Sequence, residues 1–217
     1  MILVAWTAAI MVSSTASLAA DVLDRVVASV GYAAITASDV EQEYRFECFL
    51  DGQWPAPAPD AAALARVRER LTYQILLSHE EDPSPADQAE CQKAAVGRLA
   101  TQRKGFPTPE AFQAAAHELG MTEAEIVARM AQQNLMLRLV DQRLRPAASP
   151  SDAEVAEYYR QIFVPEFQKK NPGAAAPPLP EVENQIREVL TEKHIDELLD
   201  QWIEELKPGN RVSVHSF

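Results

Sequence analysis

Residues Thr108–Arg145, TPEAFQAAAHELGMTEAEIVARMAQQNLMLRLVDQRLR, decide how the chain folds. Thr108 suits an N-cap, Pro109 the first helical position and Glu110 the positive end of the helix dipole, so a helix starts here. Phe112, Ala115, Ala116 and Leu119 follow on one helical face. Gly120 stands where a left-handed residue closes such a helix. Thr122 and Glu125 then form a T-x-x-E capping box, worth roughly 1 kcal/mol, and open a second helix of about 20 residues. That helix begins with a narrow stripe, Ile126, Val127 and Met130. It becomes apolar nearly all round at Leu135, Met136, Leu137, Leu139 and Val140. A helix that is apolar on every side is buried on several sides, so the other helices are expected to pack around Leu135–Val140.

Working toward the N-terminus, Ala86 to Lys104 reads as a weaker helix with Cys91, Ala94, Ala95 and Leu99 inward, ended by Gly105. Pro83 and Pro85 separate it from a helix capped by Asp60, whose stripe is Leu64, Val67, Leu71 and Ile75. The charged residues Arg66, Arg68, Glu69 and Arg70 read as its solvated face. Trp54 to Pro59 (WPAPAP) is a stiff, extended loop. Ser38 and Glu41 fit a capping box for a helix through Leu50, with Val40, Tyr44 and Cys48 on one face. Val26–Val30 and Ala34–Thr36 have the residue types of short strands.

Toward the C-terminus, Arg145 to Pro150 is a Pro-rich joint. Ser151 and Glu154 give a third capping box, for a helix carrying Val155, Tyr158, Tyr159, Ile162 and Phe163 and disturbed near Pro165. Asn171 to Pro180 is a loop. A long helix follows from Glu181 to about Leu206, closed by Lys207-Pro208-Gly209. Arg211 to Phe217 alternates like a strand, with Val212 and Val214 on one side. A terminal strand needs a partner, so the two ends of the mature chain are expected to pair. The fold class that results is mainly α with a small β-sheet.

The chain has 217 residues, is 47% hydrophobic and carries a net charge of −12, which argues for a globular body and against nucleic acid as a partner. Residues 1–20, MILVAWTAAIMVSSTASLAA, have an apolar region too short to span a membrane comfortably, followed by small residues suited to signal peptidase. The expectation is an exported, periplasmic protein whose mature chain starts near Ala20 or Asp21, without a stable membrane anchor. The four histidines, His79, His117, His194 and His215, lack metal-ligand spacing, and no phosphate-binding or nucleophile motif occurs. No catalytic residue, metal or cofactor is therefore assigned. Cys48 and Cys91 both lie on apolar helix faces; in an exported protein they form one disulfide or stay as two buried thiols.

Several of these segments resemble the N-terminal domain of SurA and its relatives, exported chaperones of outer-membrane and secreted proteins. The resemblance lies in Phe106–Phe112, Leu119-Gly120-Met121 and Leu139–Leu144. It extends to Val27–Gly31 before Ile35–Val40, and to Glu181–Arg187 with Asp200–Leu206. No single motif is highly specific; their order is the signal. It implies a SurA N-terminal-like helical domain over residues 21–150, completed by a returning helix and strand over 181–217. Relatives carry a parvulin prolyl-isomerase domain between these parts. Here an arm helix and loop, residues 151–180, take its place, so the resemblance implies a chaperone module without isomerase activity.

The long C-terminal helix has two apolar stripes, Val182, Ile186, Val189 and Leu190 against Ile195, Leu198, Leu199, Trp202, Ile203 and Leu206, on sides rotated by roughly 150–200°. Either the helix kinks and both are ordinary core, or the first faces the preceding helix in a separate arm. The arm reading leaves part of Phe163, Phe167, Val182, Ile186 and Leu190 exposed. It makes Tyr158, Tyr159, Phe163, Phe167, Val182, Ile186 and Leu190 the candidate peptide-binding residues, for an unfolded client polypeptide or a second copy in a homo-oligomer. Three functions stay open: an ATP-independent chaperone, an envelope assembly partner without holdase activity, and, least favoured, a prolyl isomerase.

Overall fold

In the computed structural model, residues 24–80 and 82–217 are described; the apolar segment 1–20 lies outside them. Strands β1 (Val26–Val30), β2 (Ala33–Thr36) and β3 (Val212–Val214) form an antiparallel sheet in the order β2-β1-β3. Val30 pairs with Ala33 on one side and Val212 on the other, so the strand patterns near the two ends do meet. Gly31, at φ +58°, makes the tight β1–β2 turn, and its amide donates to the Asn210 carbonyl at 2.7 Å.

The helices are α1 (Ala37–Leu50), α2 (Ala61–Ser78), α3 (Pro85–Arg103), α4 (Pro109–Leu119), α5 (Glu123–Leu144), α6 (Asp152–Tyr158), α7 (Val164–Lys170) and α8 (Leu179–Gly209). Asp60, Thr108, Thr122 with Glu125, and Ser151 with Glu154 cap their helices as the sequence predicts, and Gly120 closes α4 in the left-handed conformation. α1 departs from expectation. Its box is Thr36 with Asp39, not Ser38 with Glu41. Thr36 ends β2 with the extended backbone an N-cap needs, while the Ser38 amide is taken by Asp24 Oδ1 at 3.3 Å. On α3, Cys91, Ala95 and Leu99 point inward and Ala94 outward. Nor does the helix after Ser151 stop at Pro165. A π-helical turn, Tyr159–Phe163, joins α6 to α7, which runs on to Lys170. Proline has no N–H to return and presses on the carbonyl four residues back; a wider turn just before it accommodates both.

Four apolar clusters hold these elements. The first gathers Phe46 and Phe49 of α1, Ala95 and Leu99 of α3, Phe112 and Leu119 of α4, and Ile126 and Met130 of α5. Phe49 is its hub, with the rings of Trp54, Phe106 and Phe112 at 6.0, 5.5 and 5.6 Å. The second joins Leu76 and Leu77 of α2, Val140 and Leu144 of α5, and Ile195, Trp202 and Ile203 of α8 to Val30. The third seats the sheet, through Val27, Ala28 and Ile35, on Val40 and Val67. Arg68 is not simply solvated: it donates to the His215 carbonyl at 2.7 Å and lies over the Phe217 ring, fastening the C-terminal end to α2.

The fourth cluster is the arm. α8 runs unbroken for 31 residues, about 46 Å, and extends beyond the second cluster. Its far half packs Val182, Ile186 and Leu190 against Val155 of α6, with Tyr158, Tyr159, Phe163 and Leu179 around them. Both stripes of α8, apart from Val189, thus pack without a break in the helix, each in its own cluster. The expected exposure of Val182, Ile186 and Leu190 is overturned, Ile186 being 1% exposed. α6 and its π turn fold back along α8 and close that face; the outward residues are Ile162 and Val189. Arg187 anchors the joint by donating to Asp152, Glu183 and the Pro150 carbonyl.

Cys48 and Cys91 are buried free thiols, so the disulfide is not formed. α3 reaches the end of α1 through Gln102, whose amide donates to the Phe49 carbonyl at 2.8 Å. Cys91 lies about three turns, or roughly 16 Å, back along α3, where its carbonyl faces Asn134 of α5 instead. A reducing agent is therefore expected to leave the melting temperature unchanged, and thiol titration to need denaturant. Ile186→Ala is expected to cost about 2–4 kcal/mol in denaturant unfolding, the range for truncating a buried isoleucine; an unchanged midpoint would show that the arm is not packed.

Candidate functional site

The site is built on the middle of α5, where the helix leaves one cluster and enters the next. One side of this segment is covered by α3. Arg138 pairs with Asp87 and Glu90 at 2.7 and 2.6 Å, and Asn134 holds the Cys91 carbonyl at 3.3 Å. On the other side, α2 and α8 approach without closing on it. Leu135–Val140 is consequently not enclosed as its composition predicts. Leu135, Met136 and Leu139 are half-buried and Leu137 is 66% exposed. An apolar helix can be covered only where a neighbouring helix passes, and here one is missing.

The gap is a cleft of about 720 Å³. Leu50, Tyr73, Leu77, Met136, Leu137, Val140, Ile195 and Leu199 give it apolar walls drawn from α1, α2, α5 and α8. A second hollow of about 270 Å³ adjoins it, sharing Gln74, Gln133 and Met136 and adding Leu71 and Ile75. Together they follow α5 from Arg129 to Asp141, about 18 Å at the helical rise. The cleft is apolar, open and long rather than deep, and the side-chain amides of Gln74 and Gln133 lie along it.

A buried ionic cluster stands beside it. Glu43 of α1 is 1% exposed, yet it is a carboxylate. It accepts from Arg129 and, at 3.5 Å, from Gln133, both on α5, and lies 3.9 Å from Arg70 of α2. Arg70 also pairs with Glu47, so it is not part of a merely solvated face. Burial pushes the Arg70 guanidinium pKa down, opposed by the nearby Glu43 charge. Arg129 lies over the Phe46 ring, 4.9 Å from its centre. At the far end of the cleft, Arg145 donates to Asp141 and Glu192, which hold it in its charged form. Burial, and the hydrogen bond Tyr73 donates to Glu69, push the Tyr73 phenol pKa up.

The candidate residues chosen from sequence go elsewhere. Tyr158, Tyr159, Phe163, Val182, Ile186 and Leu190 come together, but as the arm's own core. Phe167 stacks on Phe163, and Phe163 on Tyr159, with ring centres 6.1 and 5.8 Å apart. The Tyr159 hydroxyl donates to the Pro177 carbonyl at 2.8 Å. These aromatics are half-buried: Phe163 and Phe167 keep the partial exposure expected of them, while Val182, Ile186 and Leu190 beneath are closed. Met136, Leu137 and Tyr73 were not chosen. Their signal was the all-round apolar run of α5, which has more apolar faces than neighbours to cover them. Among the described residues, no group of three or more His, Cys, Asp or Glu could hold a metal ion. Compared with protein-family models, curated proteins and solved structures, the chain matches none.

Removing one partner of a buried ion pair strands the other charge, whereas removing both together is far milder. Arg129→Met is expected to destabilise the protein by about 3–5 kcal/mol, and Glu43→Leu with Arg129→Met to recover most of that. Chemical denaturation of the variants checks it; a double variant as unstable as the single would mean that packing, not charge, holds this wall.

Proposed function

We propose that the protein is an ATP-independent, SurA-like periplasmic chaperone that holds unfolded segments of exported polypeptides in the cleft beside α5. The observation that supports this reading best is Leu137, a large apolar side chain 66% exposed at the mouth of an apolar cleft. Exposed apolar surface concentrated in a concave site marks a binding surface. Met136, unbranched and polarisable, adapts to varied side chains. Gln74 offers its side-chain amide to a client's backbone, and Gln133, whose N–H faces Glu43, its amide oxygen, contacts that do not depend on client sequence. At about 3.3 Å per residue, the 18 Å run along α5 takes about five extended residues. The order of SurA-like segments and the export-type N-terminus point the same way. On the SurA-like reading the arm stands in place of a parvulin domain, and no isomerase chemistry is assigned.

The test is suppression of light scattering by a denatured client. The wild type is expected to suppress aggregation at near-stoichiometric ratios without ATP, and to leave a proline-limited refolding rate at background. Leu137→Asp is expected to weaken suppression about tenfold or more, as loss of one buried leucine and gain of a charge imply. Its melting temperature should move by only a few degrees, because the side chain is exposed. A wild type without holdase activity would leave the assembly-partner reading in its place.

A further inference from the structure

We infer that the cleft prefers clients in which apolar residues alternate with Lys or Arg, and disfavours equally apolar clients carrying Asp or Glu. This rests on the chaperone reading and adds a substrate class to it. Five carboxylates line the cleft, Glu47, Asp51, Asp141, Glu192 and Asp196, against the guanidinium groups of Arg70 and Arg98. Most are already used. Glu47 pairs with Arg70, and Asp141 and Glu192 share Arg145. Asp51, at the end of α1, and Asp196, on α8, have no ion-pair partner among the described residues, and both are exposed. Arg98 on α3 is the unpaired cation of this lining among the described residues.

The balance is therefore negative on walls that are otherwise apolar. Low-dielectric walls focus the field of such charges into the cleft instead of letting solvent disperse it. Near Tyr73, the charges of Glu69, Asp200 and Glu204 extend the same sign, with Lys207 offsetting Glu204. An extended client with its apolar side chains in the cleft turns alternate residues toward the rim. Lysine or arginine there meets Asp51 or Asp196; a carboxylate there meets like charge at both and, among the described residues, a single unpaired cation, Arg98. The difference appears as selectivity and association rate, and salt weakens it.

The test uses two fluorescent peptides with identical apolar residues at alternate positions and either Lys or Glu between them, titrated against the whole protein by anisotropy. The Lys peptide is expected to bind about tenfold or more tightly than the Glu peptide at about 50 mM salt, with the gap nearly closed at about 500 mM. Asp51→Asn with Asp196→Asn should narrow the gap several-fold at low salt. Glu110→Gln with Glu205→Gln, which removes the same net charge away from the cleft, should leave it in place. Equal binding of the two peptides, a preference for Glu, or equal effects of the two double variants would overturn the preference. If in these cases Leu137→Asp still weakens binding of both peptides, the chaperone reading stands alone. If neither peptide binds the wild type, both readings fall.

Discussion

Helix α5 has to be covered twice. Ile126 and Met130 enter a cluster shared with α1, α3 and α4, while Val140 and Leu144 enter another shared with α2, α8 and β1. At 100° per residue these four side chains share one face with Leu137, but the helices that cover its two ends differ and leave Leu137 open between them. α3 covers one flank by pairing its Asp87 and Glu90 with Arg138. The other flank would need α2 or α8 to cross at the same level. Both are already committed, α2 to the sheet through Val67 and α8, through Trp202 and Ile203, to the cluster around Val30. The cleft is what remains when two packing demands on one helix are met at its ends.

α8 solves a similar problem differently. Its two stripes face different ways, and the chain supplies a separate partner for each. The body takes Ile195, Trp202 and Ile203, and α6 with the π turn takes Val182, Ile186 and Leu190. The arm is small, so polar anchors matter to its direction. Arg187 ties it to Asp152 and the Pro150 carbonyl, and His194 Nδ1 lies 3.0 Å from the Ala148 carbonyl. A segment this thin has to bury its central apolar residues, Val182, Ile186 and Leu190, to stay folded, and leaves Ile162 and Val189 at its outside. Its aromatics lie half-buried over that core, packed against one another from Tyr159 through Phe163 to Phe167.

Local chemistry made much of the fold legible. The boxes at Thr122 and Ser151, the left-handed Gly120 and the alternation around Val212 each identify an element from a few residues, and all are present. Where two readings were chemically close, tertiary geometry decided. Thr36 rather than Ser38 caps α1 because β2 leaves it extended. The site was less legible. Apolar residues in Leu135–Val140 and in Val182–Leu190 look alike as sequence, since hydrophobicity alone does not say which helix will run alongside. The first run reads as buried and the second as partly exposed; the structure leaves Leu137 of the first open and buries Val182, Ile186 and Leu190 of the second, while Val140 and Val189 keep to expectation. Glu43 gave no signal at all, because a glutamate between Gln42 and Tyr44 reads as surface until its neighbours are known.

Glu43 also bears on why the cleft does not collapse. Apolar walls facing each other across a gap tend to close, since closure removes both from water. Here α1 and α5 are held by Glu43 with Arg129, and α2 is set beside them by Arg70, whose guanidinium meets Glu47 and Glu43. Long guanidinium side chains fix a separation that leucines in their place would not, because a buried carboxylate left without them is strongly unfavourable. Leu76 and Leu77 of α2 already meet Val140 of α5, with Met136 packed beside them; moving α2 further, onto Leu137, would pull Arg70 from Glu43 and Glu47. The ionic cluster thus opposes closure on the α1–α2 side, because a buried charge resists losing its partners.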